Sequence, residues 1–431
     1  MTISIVGTGY VGLVTGAVFA DLGNKVFCID INAEKVENLK KGKIPFFESG
    51  LEELVKRSLE SKRLKFTSDF ESSISSSKVV FICVGTPPLE DGSVDLSQLY
   101  SATETTAKHL KGHTVVAIKS TVPIGIEVEL EKIIKKNSRN HFEIVAVPEF
   151  LKEGTAIEDT LHPDRIVIGA KELDGKSVDL ILDLHKHFSG ERIICDLRSA
   201  QLVKYAANSL LATKVSFSNA VAQLSEKMGA DVEKVLHGVG LDRRIGKTYL
   251  SPGVGYGGSC LPKDVLAFVD VAAKFGYDFG LLKEVDRVNR QQIDNFVKKI
   301  RNALGGTVEG KRIGILGLSF KPETDDIREA PSLKIIKLLL EQKAEITAYD
   351  PVAIPGVEKI LGDQIKFGKD AYEVAQDADC LAVVTEWNEF RDLDFSKIKS
   401  LMRTPIIADG RNLYDPQLIK KLGFVYNGVG K

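Results

Sequence analysis

Cysteine is scarce in this chain, with five among 431 residues. So low and odd a number excludes a disulfide framework; it fits a reducing compartment, the cytoplasm, and leaves room for one special thiol. An excess of charge of either sign is also missing. Lys and Arg number 58 against 59 Asp and Glu, so the electrostatics give no reason to expect nucleic acid or a membrane as a partner. No segment approaches the ~20 apolar residues needed to span a bilayer. The seven histidines are scattered. No Cys-x-x-Cys or His-Glu-x-x-His occurs, and no metal is expected. Gly-x-Ser-x-Gly and a Walker loop are absent too.

The length implies two or three domains at roughly 150 residues each. Residues Met1 to Ala20 carry no charge, and Ala17 to Ala20 resembles a signal-peptide cleavage site. A basic leader is lacking, however, and Gly7, Gly9, Gly12 and Gly16 suit a strand, a tight turn and a helix better. β-branched runs at Ile3–Val6, Lys25–Asp30, Val79–Val84, Val115–Ile118, Ile144–Val147 and Ile166–Ile168 alternate with helix-like stretches such as Leu51–Ser61. This alternation predicts a parallel sheet covered on both faces. Leu197–Met228 reads as one helix without Gly or Pro. At 1.5 Å per residue it spans roughly 48 Å, long enough to bridge two domains and to offer a face to another subunit. Further strands follow at Arg312–Leu316, Ala344–Asp350, Cys380–Thr385 and Pro405–Ala408, and Ser72–Ser77 reads as a serine-rich loop. The fold expected is α/β, with two Rossmann-like parallel-sheet domains joined by a long central helix and a helical middle domain. The boundaries expected are 1–195, 196–300 and 301–431.

Gly7-Thr8-Gly9-Tyr10-Val11-Gly12 is a G-x-G-x-x-G between a strand and a helix, and Asp30 closes the next strand. The first glycine permits the turn, the second lets backbone approach a pyrophosphate, and the third lets helix and strand pack closely. Free N–H groups and the helix dipole then meet the phosphates. Asp30 accepts from ribose hydroxyls and repels a 2′-phosphate, so the cofactor expected is NAD, with Lys35 either near the same ribose or simply solvated. The corresponding turn at Gly314–Ser319 lacks its third glycine, so that domain holds another ligand, or none.

The segment Gly253–Asp264 (GVGYGGSCLPKD) sets Cys260 after a glycine-rich run and ahead of an amphipathic stretch, Val265–Phe275. That places the thiol at a helix N-terminus, where the dipole and a nearby lysine favour thiolate. Gly257 and Gly258 would let a substrate approach the backbone. Cys28, Cys83 and Cys380 lie in apolar strands and read as buried; Cys195, after Ile193-Ile194, reads the same way. Lys204 and Asn208 share a helix face, where a cation and an amide could stabilise an oxyanion. Asp264 could serve as base or position a water. Glu149 and Glu153 follow a strand and Pro148, a usual place for active-site carboxylates, although solvated loop acids would look the same.

Together these motifs resemble the UDP-glucose/GDP-mannose dehydrogenase family. The resemblance rests on GTGYVG (7–12), VGTPP (84–88), KSTVPIG (119–125), PEFLKEG (148–154), HPDRIVIG (162–169), KYAAN (204–208), GYGGSCLPKD (255–264), FKPETDDIRE (320–329) and DGRN (409–412). It implies oxidation of a primary alcohol to a carboxylate with two NAD, through a thiohemiacetal and then a thioester on Cys260. Lys204 and Asn208 match the oxyanion-stabilising pair, Asp264 the water-activating residue, and Thr121 with Glu153 a water-holding network. Glu149, with Phe150 and Leu151, falls on the substrate side. Cofactor contacts carried over are Gly7, Gly9, Tyr10, Val11, Gly12, Asp30, Lys35, Thr86, Thr121, Glu153, Lys263 and Arg328. Substrate contacts are Tyr249, Gly257, Lys321 and Arg411. Arg244 would reach from a neighbouring subunit of a homodimer or higher homo-oligomer. PDRIVIG and KSTVPIG resemble the members that oxidise UDP-glucose. GDP-mannose, or a non-catalytic scaffold that senses nucleotide sugar, are the alternatives.

Overall fold

Val79–Ile82 is buried at all four positions, as a strand covered on both faces must be. It lies inside the first of two sheets. The computed structural model describes residues 1–431. The chain forms two compact units: Met1–Ala207 with Asp270–Phe275, and Asn208–Val269 with Gly276–Lys431.

In the first unit, the strands are β1 (Thr2–Val6), β2 (Lys25–Ile29), β3 (Leu64–Thr67), β4 (Val79–Ile82), β5 (Thr114–Ile118), β6 (Phe142–Ala146), β7 (Arg165–Gly169) and β8 (Glu191–Cys195). They form one sheet in the order β3-β2-β1-β4-β5-β6-β7-β8. The order reverses between β1 and β4, the switch point at which doubly wound sheets bind ligands. Alternate residues feed opposite cores. Val79 and Phe81 join Ile3, Ile5 and the helix Tyr10–Asp21 on one face. Val80 and Ile82 join Val6, Ile29 and Leu99 on the other. The sheet departs from the expected parallel plan at one join, where β6 meets β7 antiparallel through Ala146 and Gly169.

The second unit holds β9 (Arg312–Leu316), β10 (Glu345–Tyr349), β11 (Lys366–Phe367), β12 (Cys380–Val383), β13 (Ile406–Asp409) and β14 (Val425–Gly428). Their order is β11-β10-β9-β12-β13-β14, all parallel. The helices Val232–Gly240 and Gly280–Ala303 pack Leu236, Ile293, Phe296 and Ile300 into the same core as Ile313 and Ile315. The long helix runs Leu197–Met228, as expected. It belongs to the first unit up to Ala207 and to the second from Asn208. No helix is long and apolar enough to cross a membrane.

Two expectations need correction. Ser72–Ser77 is not a loop, because Phe70–Ser75 is helical. Asp69 caps it by accepting from the Ser72 N–H, and Ile74 is buried, so a cap and one apolar anchor outweigh the weak helix propensity of serine. Cys195 is not buried like Cys28, Cys83 and Cys380 but only half-buried, since it ends β8 at the sheet edge.

Candidate active site

The turn after β1 separates the roles of the three glycines. Gly7 has φ +95°, and a Cβ there would lie 2.8 Å from the Cys83 carbonyl oxygen. A Cβ on Gly12 would lie 2.0 Å from the Gly7 oxygen, whereas one on Gly9 would meet nothing within 4 Å. The first and third glycines thus serve the protein's own packing, and the second leaves open space where a pyrophosphate fits. Asp30, just past β2, accepts from the Thr8 N–H at 3.1 Å, the Thr8 hydroxyl at 2.6 Å and Lys35 Nζ at 3.0 Å. Burial alone would raise its carboxyl; these donors, with the Asn32 N–H, hold it below the usual carboxylate range. Lys35 is therefore Asp30's ion-pair partner rather than a free surface residue.

The equivalent turn after β9 is closed. Gly317 has φ +94°, but Asp350 is buried and consumed by its own turn. It accepts from the Leu318 and Ser319 N–H groups at 2.7 and 3.0 Å, from Trp387 Nε1 at 3.1 Å, and from the Val352 and Ala353 N–H groups. Asp350 is thus engaged by its own turn and by Trp387.

The loops after β4, β5 and β6 converge beside the first turn. Thr86 donates its hydroxyl to the Thr121 carbonyl at 2.9 Å. Ser120 donates to the Val84 carbonyl at 2.7 Å. A small cavity there is lined by Ser120, Thr121, Val122, Pro148, Gln201 and Lys204. Lys204 Nζ lies 2.8 Å from Glu149 Oε1, with both side chains almost fully buried. Glu149 Oε2 accepts from the Leu151 N–H at 2.6 Å. Burial would raise the Glu149 carboxyl, but Lys204, the Leu151 N–H and Lys119 together hold it below its usual range. Phe150 lies under Arg165, 3.9 Å from ring centroid to guanidinium, and 5.4 Å from Lys204 Nζ.

Sequence reasoning missed Glu48 and Lys119. Glu48 is buried and accepts from the Gly154 N–H at 2.6 Å, the Ala156 N–H at 2.8 Å and the Tyr10 hydroxyl. It ties the loop bearing Glu149 and Glu153 to the glycine turn. Burial and Glu48's charge push the Tyr10 hydroxyl far above its ordinary value. Lys119 is buried, and burial pulls its ammonium down despite Cys83 and Glu149. Neither stood out, because an acid or a lysine in a turn reads as solvated until its burial is known.

In the second unit, Cys260 is exposed and directly precedes the helix Leu261–Lys274. Its carbonyl accepts from the Asp264 N–H at 2.9 Å, so Cys260 is that helix's N-cap residue, as the sequence suggested. Asp264 is buried in the first helical turn. Asn208 Nδ2 donates to its Oδ2 at 2.6 Å, and Lys263 Nζ lies 2.9 Å from its Oδ1. Asn208 and Asp264 thus form a linked pair, and Lys263 neutralises the carboxylate.

Gly257 and Gly258 require a different explanation from the one expected. A Cβ on Gly257 would lie 2.3 Å from the Glu329 carbonyl oxygen, and one on Gly258 (φ +82°) 2.7 Å from the Phe320 ring. The protein's own chain takes that room, so these glycines serve packing rather than substrate access. Asn289 fixes the same loop, accepting from the Tyr256 N–H at 2.8 Å and donating to its carbonyl at 3.0 Å. Arg411 donates to the Val384 carbonyl at 2.7 Å, to the Gly255 and Phe320 carbonyls at 3.3 and 3.4 Å, and pairs with Glu386 at 3.1 Å. Lys321 lies 5.8 Å from the Phe320 ring. Tyr249 holds φ +63°, a conformation that costs a non-glycine residue energy and clusters at ligand sites. Arg328 pairs with Asp326 at 2.6 Å and Arg244 with Asp242 at 2.5 Å; both arginines are exposed.

Three family models match the chain: the NAD binding domain of the UDP-glucose/GDP-mannose dehydrogenase family over residues 1–189, its central domain over 198–291 and its UDP binding domain over 314–416. The chain is 43% identical over its whole length to UDP-glucose 6-dehydrogenase TuaD of Bacillus subtilis, covering 93% of that protein. It is equally similar, at 43%, to a UDP-glucose 6-dehydrogenase of Rhizobium meliloti, with both chains fully covered. A solved UDP-glucose dehydrogenase from the archaeon Pyrobaculum islandicum superposes with TM-score 0.93 at 36% identity, covering 100% of this chain and 97% of that one. A GDP-mannose dehydrogenase from Pseudomonas aeruginosa gives 0.56 at 28%, with both chains covered in full.

Proposed function

The chain belongs to the UDP-glucose/GDP-mannose dehydrogenase family, and from that premise we propose that it converts the C6 alcohol of UDP-glucose to a carboxylate through a covalent adduct on Cys260. It is an NAD-dependent oxidoreductase, and its relatives at 43% identity oxidise UDP-glucose. Gly7–Gly12, Asp30 and Lys35 would hold NAD, which would supply the hydride acceptor for both oxidations.

Two oxidations at one carbon need an aldehyde that does not escape between them. Cys260 Sγ adds to the aldehyde carbon and forms a thiohemiacetal. The second oxidation leaves a thioester, which water cleaves, returning the thiol and releasing the carboxylate. The helix that begins after Cys260 favours its thiolate. Lys204 and Asn208 stabilise the tetrahedral oxyanion. Asp264 takes the proton of the attacking water, oriented with the help of Thr121 and Glu153. Glu149 holds Lys204 and stands on the substrate side with Phe150 and Leu151. Thr86, Lys263 and Arg328 contact the cofactor, and Tyr249, Lys321 and Arg411 the nucleotide sugar. The observation that carries this reading is Cys260 as N-cap, with Asp264 in the following turn held 2.6 Å from Asn208.

We further propose three functional segments, 1–195, 196–300 and 301–431, a homodimer or larger homo-oligomer to which Arg244 contributes across the interface, and residence in the cytoplasm. The thiol chemistry needs a reducing compartment. The decisive experiment counts NADH formed per UDP-glucose, with GDP-mannose alongside. Two NADH and a uronate are expected. One NADH with free aldehyde would refute the covalent mechanism, and faster turnover of GDP-mannose would reassign the substrate. No NADH from any sugar nucleotide would favour a non-catalytic sensor. Cys260→Ser should abolish turnover yet still bind NAD and UDP-glucose.

A further inference from the structure

The amino ends of β5 and β6 carry a cluster unrelated to the thiol chemistry. These strands pair in parallel with Thr114 against Phe142 and Val115 against Glu143. The Thr114 N–H donates to the His141 carbonyl at 3.2 Å. One step back along that register sets His113 beside His141. The two-residue period of a strand puts Glu143 on the same face as His141. Side-chain positions agree. The imidazole rings of His113 and His141 are 4.7 Å apart between centroids. His113 Nε2 lies 2.8 Å from Glu143 Oε1. The ligating atoms of all three residues lie within 4.8 Å of one another.

We propose that His113, His141 and Glu143 bind one late first-row divalent cation of the zinc class, as a clip across the start of β5 and β6. Two imidazoles and one carboxylate form a borderline-soft donor set that suits Zn²⁺ and is poorly matched to Mg²⁺ or Ca²⁺. Tetrahedral zinc at about 2.0–2.2 Å from each donor needs donors roughly 3.3 Å apart. The pairing of Thr114 with Phe142 and of Val115 with Glu143 holds the two chain segments side by side, which leaves the closing of the gap to side-chain rotation. The histidines are exposed, so the fourth position is open to water. The cation replaces the His113–Glu143 hydrogen bond and joins two strands whose opposite ends carry Thr121 and Glu149. A five-residue strand separates the two ends by about 17 Å, so the clip acts on the stability of the first unit, through preferential binding to the folded state.

The test uses full-length protein stripped with EDTA and carrying Cys260→Ser, so that the reactive thiol cannot hold the metal. Zn²⁺ is titrated by equilibrium dialysis, with Ni²⁺ as a second probe and Mg²⁺ as control. One Zn²⁺ per chain and a Zn²⁺-dependent rise in Tm are expected, both lost when His113→Ala and His141→Ala are added. Glu143→Gln should weaken binding while leaving the metal-free Tm near its starting value. In the Cys260 protein, the two histidine substitutions should leave metal-free NADH formation unchanged, which establishes that the variant folds. Absence of stoichiometric Zn²⁺ binding, or the same binding in the histidine variant, overturns the proposal.

Discussion

Lys204 and Glu149 lie 55 residues apart in the chain and 2.8 Å apart in space. Each is tolerable in the interior only because of the other. Removing one member of a buried ion pair strands the other and costs about 3–5 kcal/mol, whereas replacing both with apolar residues of similar size is close to neutral. Lys204→Met should therefore destabilise the protein by about 3 kcal/mol, and Lys204→Met with Glu149→Met should recover most of it; urea unfolding of the three proteins measures this, while both variants lose turnover. His185 gives a pH dependence. It is buried between Phe19 and Phe188, with Nδ1 2.7 Å from the Ile181 carbonyl. Burial, then Lys119, pulls its pKa down to about 3. The folded state keeps it neutral while the unfolded chain takes a proton below about 6.5, so stability falls as the pH drops below that value. Glu149, whose folded pKa is depressed, adds to the loss at lower pH in the same direction. Between pH 7.5 and 5.5, wild type should lose about 1 kcal/mol more than His185→Gln, read from urea midpoints.

Among elements, the strands legible in the sequence are the interior ones. β1, β2, β4, β5, β6, β7, β9, β10, β12 and β13 are apolar runs displaced by a residue or two at their ends. The four edge strands are β3, β8, β11 and β14. Three of them gave no signal, and β8 gave only a pair of isoleucines. An edge strand is half-solvated, as the largely exposed β8 illustrates, so it lacks the continuous apolar run that burial on both faces imposes. The loop 148–156 is a second case. Its sequence announces active-site acids, but its shape depends on Glu48, 106 residues from Gly154. Glu48→Ala leaves the Ala156 N–H and the Tyr10 hydroxyl proton unpaired, at about 1–3 kcal/mol each, while the Gly154 N–H keeps the Tyr10 oxygen at 3.0 Å. We expect kcat/KM for NAD to fall at least tenfold, about 1.4 kcal/mol, with Glu48→Gln restoring part of it. Steady-state kinetics of the two variants decide the point.

At the scale of the whole molecule, the long helix leaves Leu210, Phe217 and Leu224 exposed at 63%, 53% and 55%. They recur every seven residues, so they fall on one face. An apolar face of that length on a single helix fits the proposed subunit contact. Light scattering coupled to gel filtration should give a mass of two chains or more, and Leu210→Glu with Phe217→Glu should reduce it to one; a wild-type monomer would remove the role assigned to Arg244. The sequence by itself determined the dinucleotide turn, the interior strands, the long helix and the position of Cys260 at a helix start. These are local patterns, set by backbone conformation and by periodic burial over a few residues. Tertiary structure alone decided the pairing of Lys204 with Glu149 and of Asn208 with Asp264, the anchoring by Glu48, the engagement of Asp350 by Trp387, and the meeting of His113 with His141. Each depends on which distant segments share a buried or adjoining site, and a solvated acid and a buried one look the same until the chain has folded around them.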